Sequence, residues 1–279
     1  MTTPQSNPPS ATPHAEIGVI GGSGFYSFLD EAHEVSVDTP FGPPSDPVSI
    51  GRVGGRRVAF LPRHGRDHRY LPHRVNYRAN LWALRALGVR QVVAPCAVGS
   101  LRTDLGPGSL VIPDQVIDRT WGRETSVFDV EGPVVHIGFA DPYCPRGRAT
   151  LSRAAEATGW TAVTPATLVV VNGPRFSSRA ESRWHAAVGA DIVNMTGMPE
   201  AAVARELALC YTTPALVTDV DAGVVDGEGV VQSEVFATFT RHLDRLRDLL
   251  LRSLVDLPGD DECPCQHSLD GIRLPIPLP

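Results

Sequence analysis

The sequence predicts an α/β fold, a single-domain αβα sandwich in which helices cover both faces of a mixed β-sheet. Three observations predict it. Eight short runs are nearly all apolar, as strands buried on both faces must be. Helix patterns are interleaved with them. A chain of 279 residues with 42% hydrophobic content can bury a substantial core without having to split in two. The expected boundaries are a disordered leader over 1–15, one domain over 16–257 and a Pro-rich tail over 258–279.

The strand-like runs are "IGVI" (17–20), "VSIGRV" (48–53), "RVAFLP" (57–62), "QVVAPCAV" (91–98) and "SLVIPDQVI" (109–117). Later come "TLVVV" (167–171), "DIVNM" (191–195) and "PALVTDV" (214–220). "NYRANLWALRALG" reads as a helix ending at Gly88, a residue suited to a left-handed cap. "PEAAVARELALC" opens a second helix with Pro199 at its first position and Glu200 in its first turn. The longest helix is expected over 233–257, where Val235, Phe236, Phe239, Leu243, Leu246, Leu250 and Leu254 recur at helical spacing. The tail is apolar enough at Ile272, Leu274, Ile276 and Leu278 to fold back on the body.

Charge narrows the function classes. Lys plus Arg number 25 against 31 Asp plus Glu, a net charge of -6 with no basic block, which counts against a nucleic-acid or anionic-membrane surface. No run reaches the length of a membrane span, and the leader lacks the apolar core of a signal peptide. Five scattered cysteines, an odd number with no export signal, point to a reducing, cytoplasmic location. "CPC" at 263–265 together with His267 offers three metal ligands without a clear fourth, so the expectation is reduced or loosely paired thiols and no metal.

Three places carry anion chemistry. "EIGVIGGSGFYSFLD" sets a glycine cluster directly after the first strand, where backbone can approach a phosphate. A dinucleotide fingerprint would need glycine at Ser27 and a long helix after it, whereas "HEVSVDT" alternates like a strand. A P-loop would need Gly-Lys-Ser/Thr, which is absent. A tight turn is the bland alternative. Against it stands "LPRHGRDHRYLPHR", which sets Arg63, His64, Arg66, His68, Arg69, His73 and Arg74 after a strand and suits a small dianion. "APCAVGSL" adds small residues and backbone amides at another strand end. Separately, "VTDVDAG" places Asp219 and Asp221 on one side of a strand end. They either cap the adjoining loop or helix or form a close acid pair, in which one carboxyl has its pKa raised.

"IGVIGGSGFY", "RHGRDHRYLPHRVNYRANLWAL", "GVRQVVAPCAVGSLR", "GSLVIPDQVIDRT", "NGPRFSSRAES" and "DIVNMTGMPEAAVARELALCYTTPALVTDVDAG" resemble the methylthioadenosine phosphorylase branch of the trimeric purine nucleoside phosphorylases. The similarity runs from about residue 16 to 257, in order. It implies a partly barrel-like mixed sheet, phosphorolysis of 5'-methylthioadenosine or a close 5'-deoxyadenosine analogue, inorganic phosphate as co-substrate, no further cofactor, and a homotrimer. Related folds also host nucleosidases that use water, and a nucleoside-binding module is a third class.

The resemblance implies a phosphate pocket of Ser23, Arg63, His64, the Ala97 amide and Thr196, with Cys96 standing where the family commonly has Thr. It implies Met195 on the ribose, Phe176 and Ser177 against the base, and catalytic Asp219 and Asp221, one donating to purine N7 and one accepting from the 6-amino group. Without the motif, Phe176 reads as a buried aromatic and Ser177 as a helix cap. Two acids at these places go with 6-aminopurines in the family; a 6-oxopurine nucleoside phosphorylase is the alternative. His136, Gln232 and Val235 are implied at the 5'-group pocket, His136 lent by a neighbouring subunit. Asn172 stands where Glu is common. Heat-stable relatives carry a disulfide matching Cys263–Cys265, and the tail matches a chain end that closes over the 5' substituent; both points stay open.

Overall fold

The protein is described by a computed structural model over residues 14–22, 29–226, 229–259 and 263–279. Strand β1 (Ile17–Gly21) is wholly buried and lies between β4 (Arg56–Pro62) and β5 (Gln91–Val93), parallel to both. Its alternation feeds two cores: Ile17 and Val19 enter one hydrophobic cluster and Ile20 the other. Strands β2 (Asp30–Val35) and β3 (Val48–Val53) pair antiparallel beyond β4. With β12 (Cys210–Thr212) they complete a six-stranded sheet in the order β12-β5-β1-β4-β3-β2. β2 begins at Asp30, ahead of the alternating "HEVSVDT" from which a strand was expected.

A seven-stranded sheet takes the order β8-β10-β11-β6-β13-β7-β9, formed by β6 (Cys96–Ser100), β7 (Leu110–Val111), β8 (Gln115–Arg119), β9 (Ala162–Val163), β10 (Thr167–Val171), β11 (Ile192–Asn194) and β13 (Ala215–Val220). Two runs expected as single strands are each broken, 91–98 at Ala94-Pro95 and 109–117 at 112–114 around Pro113. Proline has no N–H for the ladder, and here it lets one apolar run serve two strands. The mixed α/β architecture with partly barrel-like sheets matches the fold class expected.

Among the described residues, five α-helices pack on these sheets. α1 (Tyr77–Ala86) is capped by Asn76 and followed by Gly88 at φ +92. α2 (Pro145–Ala157) was not expected from the sequence, and α3 (Arg179–Ala187) was foreshadowed only by the reading of Ser177 as a helix cap. α4 (Gly197–Glu206) ends earlier than "PEAAVARELALC" suggests, because Ala208 turns to φ +51 and Cys210 opens β12. α5 (Gln232–Asp256) lies across α2 and β13, burying Leu246, Leu249, Leu250 and Leu254. Among the described residues, no helix is long and apolar enough to cross a membrane.

The tail is built into this body. Cys263 and Cys265 are buried, and Leu274, Ile276 and Leu278 pack on the core cluster that contains Trp82 and Tyr211. Gly132 sits so close to Pro275 that a Cβ there would meet it at 2.8 Å. The chain end is thus set against the long loop that holds His136.

Candidate active site

β6 is the spine of the site. The sheet order places it between β11, which leads into Met195 and Thr196, and β13, which carries Asp219. β13 bulges between Val217 and Asp219, so Asp219 pairs with Gly99. Gly99 must lack a side chain: a Cβ there would stand 3.0 Å from Asp219 Oδ2, 3.2 Å from Val193 and 3.5 Å from the Asp221 Cβ. Its backbone thereby admits both acids to one place.

The two carboxylates differ in environment. Burial, and the negative charge of Asp221, raise the Asp219 pKa to about 6, against a hydrogen bond from Thr218 at 2.8 Å. Asp221 is only 3% exposed and accepts the Ser182 hydroxyl at 2.6 Å. The acid pair is therefore a close, unequal one rather than a capping device. Its burial moves Asp219 toward its protonated form.

On the other side, Arg63 leaves β4 at its C-terminal end and is buried. Its Nε and Nη2 clasp Glu200 at 2.8 and 3.0 Å, Nη1 donates to the Pro95 carbonyl, and Nη2 also donates to that of Ile20. Burial opposes its charge, but Glu200 overrides that and raises the pKa. Five N–H groups less four used leaves one, on Nη1, for a ligand. Glu200, read from sequence as a helix-dipole residue, is instead the buried counter-ion of Arg63 and also accepts from Tyr211 at 2.7 Å.

His64 donates from Nδ1 to the Tyr70 carbonyl at 2.8 Å, which leaves Nε2 as an acceptor. Burial, with some help from Arg63, lowers its pKa to about 4, so at neutral pH it is uncharged and would meet a P–OH group rather than a phosphate oxyanion. Thr196 precedes α4 and is buried, with its hydroxyl free of any capping bond; the neighbouring amides of Thr196 and Gly197 are held by Asn194 Oδ1. Ala97 is half-buried in β6. Cys96 faces inward in a chain of donors: Asn194 to the Cys96 sulfur, the Cys96 thiol to Thr213, and Thr213 to the Ala94 carbonyl. Its thiol is therefore already spent. Ser23 lies outside the described residues.

Two arginines of the basic loop do not converge on an anion. Arg66 pairs with Asp46 and Glu34, and Arg69 with Asp67 and Asp46. For these two the reading as a dianion site is corrected: Glu34 in β2, Asp46 before β3 and Asp67 in the loop itself neutralise them.

A residue absent from the sequence reading, Arg123, ties the segments around Met195 together. It donates to the carbonyls of Asn172 and Met195, both at 2.9 Å, to the Met198 carbonyl, to the Asn172 side chain at 3.2 Å and to the Tyr77 hydroxyl at 3.3 Å. Burial lowers its pKa, against the charge of Asp118. Nothing in the local sequence of Arg123 marks this role; its partners come from three distant segments. Asn172 thus offers a neutral acceptor where Glu would give Arg123 a counter-charge. The Met195 side chain rests on Gly173, where a Cβ would meet its sulfur at 2.5 Å. Phe176 and Ser177 are half-buried, so a fully buried aromatic is ruled out, and the cap of α3 is Ser178 with Glu181 rather than Ser177.

Of the 5'-group residues, Val235 is half-buried, whereas Gln232, at the start of α5, and His136, in the loop between β8 and α2, are exposed. Among the described residues nothing covers His136. Trp121, Val130 and Val134 on the same loop are also exposed, Trp121 and Val134 by 74% and 75%.

Comparison with known proteins identifies the family. The family described as the phosphorylase superfamily matches residues 16–255. A purine nucleoside phosphorylase of Streptomyces coelicolor is 58% identical over 274 residues, covering 95% of this chain and 98% of that one. An S-methyl-5'-thioadenosine phosphorylase of Mycolicibacterium smegmatis is 55% identical over 267 residues, covering 94% and 99%. Among solved structures, a methylthioadenosine phosphorylase from an antarctic soil metagenomic library superposes with a TM-score of 0.86 at 39% identity, covering 92% of each chain. With a matching fold, an acid pair and a buried arginine grouped around β6, and these relatives over nearly its whole length, the chain belongs to the phosphorylase superfamily, in its 5'-methylthioadenosine phosphorylase branch.

Proposed function

We propose that the protein cleaves 5'-methylthioadenosine with inorganic phosphate, giving adenine and 5-methylthioribose 1-phosphate. The observation that carries this is the pair Asp219 and Asp221 beside Gly99 of β6, the strand whose approach at Pro95 is held by the buried Arg63. Cleavage of the bond between C1' and N9 leaves negative charge on the purine and positive charge on the ribose. Asp219, whose burial favours its protonated form, would donate to N7; an ionised Asp221 would accept from the 6-amino group. Phosphate would sit against Thr196, the Ala97 amide, the remaining N–H of Arg63 and Nε2 of His64. Because Glu200 balances Arg63 and His64 is neutral, hydrogen-bond geometry would hold the phosphate more than net charge does.

The broader name of the Streptomyces coelicolor relative leaves room for other purine nucleosides. The two carboxylates favour adenine over hypoxanthine, since an ionised acid repels a 6-oxo group. A homotrimer in which a neighbour's loop completes the 5' pocket is supported by exposed His136 and the apolar residues around it. Phosphate is the co-substrate and no organic cofactor enters. Five cysteines without a disulfide suit a reducing, cytoplasmic compartment. The test is adenine release from methylthioadenosine with and without phosphate. Release at an equal rate in phosphate-free buffer would overturn the assignment, and a monomer with full activity by light scattering would overturn the trimer.

A further inference from the structure

Four of the five cysteines meet in one place, in a cluster that contains neither Asp219 nor Asp221. Cys144 caps the N-terminus of α2, Cys210 opens β12, and Cys263 and Cys265 flank Pro264 in the tail. All four are buried, with exposures of 1–3%, and form a cluster of their own, apart from the aliphatic cores. Their sulfurs all lie within 4.8 Å of one another, and those of Cys144 and Cys263 are 3.6 Å apart. This corrects the sequence reading of the tail. His267 is exposed and its Nδ1 bonds to Asp270 at 2.9 Å, so it is no ligand; the fourth partner that the tail lacks comes from the folded body, which supplies two.

We propose that Cys144, Cys210, Cys263 and Cys265 form a tetrahedral four-thiolate site for a structural zinc ion. Zinc–sulfur bonds of about 2.3 Å to a tetrahedron of thiolates place the sulfurs about 3.8 Å apart, and the observed spacing spans that value. A disulfide would unite the sulfurs two at a time, whereas a single zinc ion uses all four at once, which the mutual closeness of the four suits; a thiol count separates the two states. Four buried thiolates around one divalent cation carry a net charge of -2, and the surroundings offset it. The Gly147 amide donates to the Cys144 sulfur at 3.4 Å, and the Gln266 amide reaches that of Cys210 at 3.9 Å. The α2 N-terminus points its dipole at the cluster, and Arg205 acts electrostatically on Cys265. Each ligand gives up one proton to solvent and the zinc undergoes no redox change.

The site would tie the tail to α2 and β12. Beyond it the chain runs on through Leu274 and Pro275 to pack on the core and against Gly132, in the loop that carries His136. The ion would thereby set the position of the chain end at the mouth of the proposed 5' pocket.

The experiment is elemental analysis of the full-length protein, freed of any histidine tag and purified without chelator, with thiols counted after denaturation. The expected result is about one zinc per chain and five reactive thiols, the zinc being released when a mercurial modifies those thiols. After exchange of the zinc for cobalt(II), thiolate-to-metal charge-transfer bands and the intense visible bands of a tetrahedral ion are expected, a readout that needs no variant to fold. Cys265→Ser and Cys210→Ser should each lose zinc at least ~10-fold. A metal-free protein with five free thiols would overturn the proposal. So would a mass lowered by two hydrogens per disulfide, or zinc retained in full by both variants.

Discussion

Replacing Asp219 with Asn should stabilise the fold while disabling it as a catalyst. The wild-type side chain titrates at about 3.8 when free and is raised to about 6 in the protein by burial and by Asp221. Raised in the folded state, the carboxyl contributes stability while protonated, at pH below the unfolded value, and that contribution is lost as pH rises through the folded one. At pH 7 the lost stability amounts to about 3 kcal/mol, from a shift of about two units at 1.36 kcal/mol each. At pH 4.5, where the folded carboxyl is already neutral and the unfolded one is only partly ionised, it is about 1 kcal/mol. Asn cannot ionise, so Asp219→Asn should unfold later in urea than wild type by a margin about 2 kcal/mol larger at pH 7 than at pH 4.5. Comparing the two pH values removes the part of the effect due to shape and hydrogen bonding. Protein concentration is held constant so that any subunit dissociation cancels. Turnover of methylthioadenosine should meanwhile fall by roughly 10²–10⁴, the usual worth of a positioned acid. A stability margin that does not change with pH would refute the buried, unequal acid pair.

Arg63→Ala should cost about 3–5 kcal/mol in urea unfolding because it strands Glu200 as a buried unpaired charge, whereas Arg63→Lys should raise the Michaelis constant for phosphate with a smaller loss of stability. Equal stability of Arg63→Ala and wild type would contradict the buried pair. Asp221→Asn and Asp219→Asn should raise the ratio of inosine to adenosine turnover by about tenfold or more, and an unchanged ratio in both would remove these acids from base reading. Gln232→Val should alter the ratio of methylthioadenosine to adenosine efficiency by about tenfold at most, the worth of one net hydrogen bond. A larger change would place the exposed Gln232 amide at the heart of the 5' pocket.

Much of the site could be read from local patterns because its carriers sit at strand ends. Asp219 and Asp221 follow "PALVT" and Arg63 follows "RVAFLP", so these residue types were tied to recognisable strands, whereas Thr196, after "DIVNM", was implied only by the family resemblance. The partnerships were not legible in this way. Arg63 and Glu200 are separated by 137 residues, and no local pattern says that a glutamate in a first helical turn will swing into a core to meet a guanidinium. Arg123 is similar, its acceptors being backbone carbonyls, which leave no trace in side-chain chemistry.

By itself the sequence determined the α/β class, the apolar strands, the long covering helix and the placing of two acids on one side of a strand end, all of which rest on periodicities of two or 3.6 residues and on chemistry within a few positions. Only the tertiary structure chose the acid pair over a cap and decided how many charges remain for phosphate, since the ion pairs with Glu200, Asp46 and Glu34 form between segments that fold together. It also decided what the cysteines are. Cys144 and Cys263 stand 119 residues apart, and their approach to 3.6 Å depends on where α2, β12 and the tail are packed, not on the spacing of any motif.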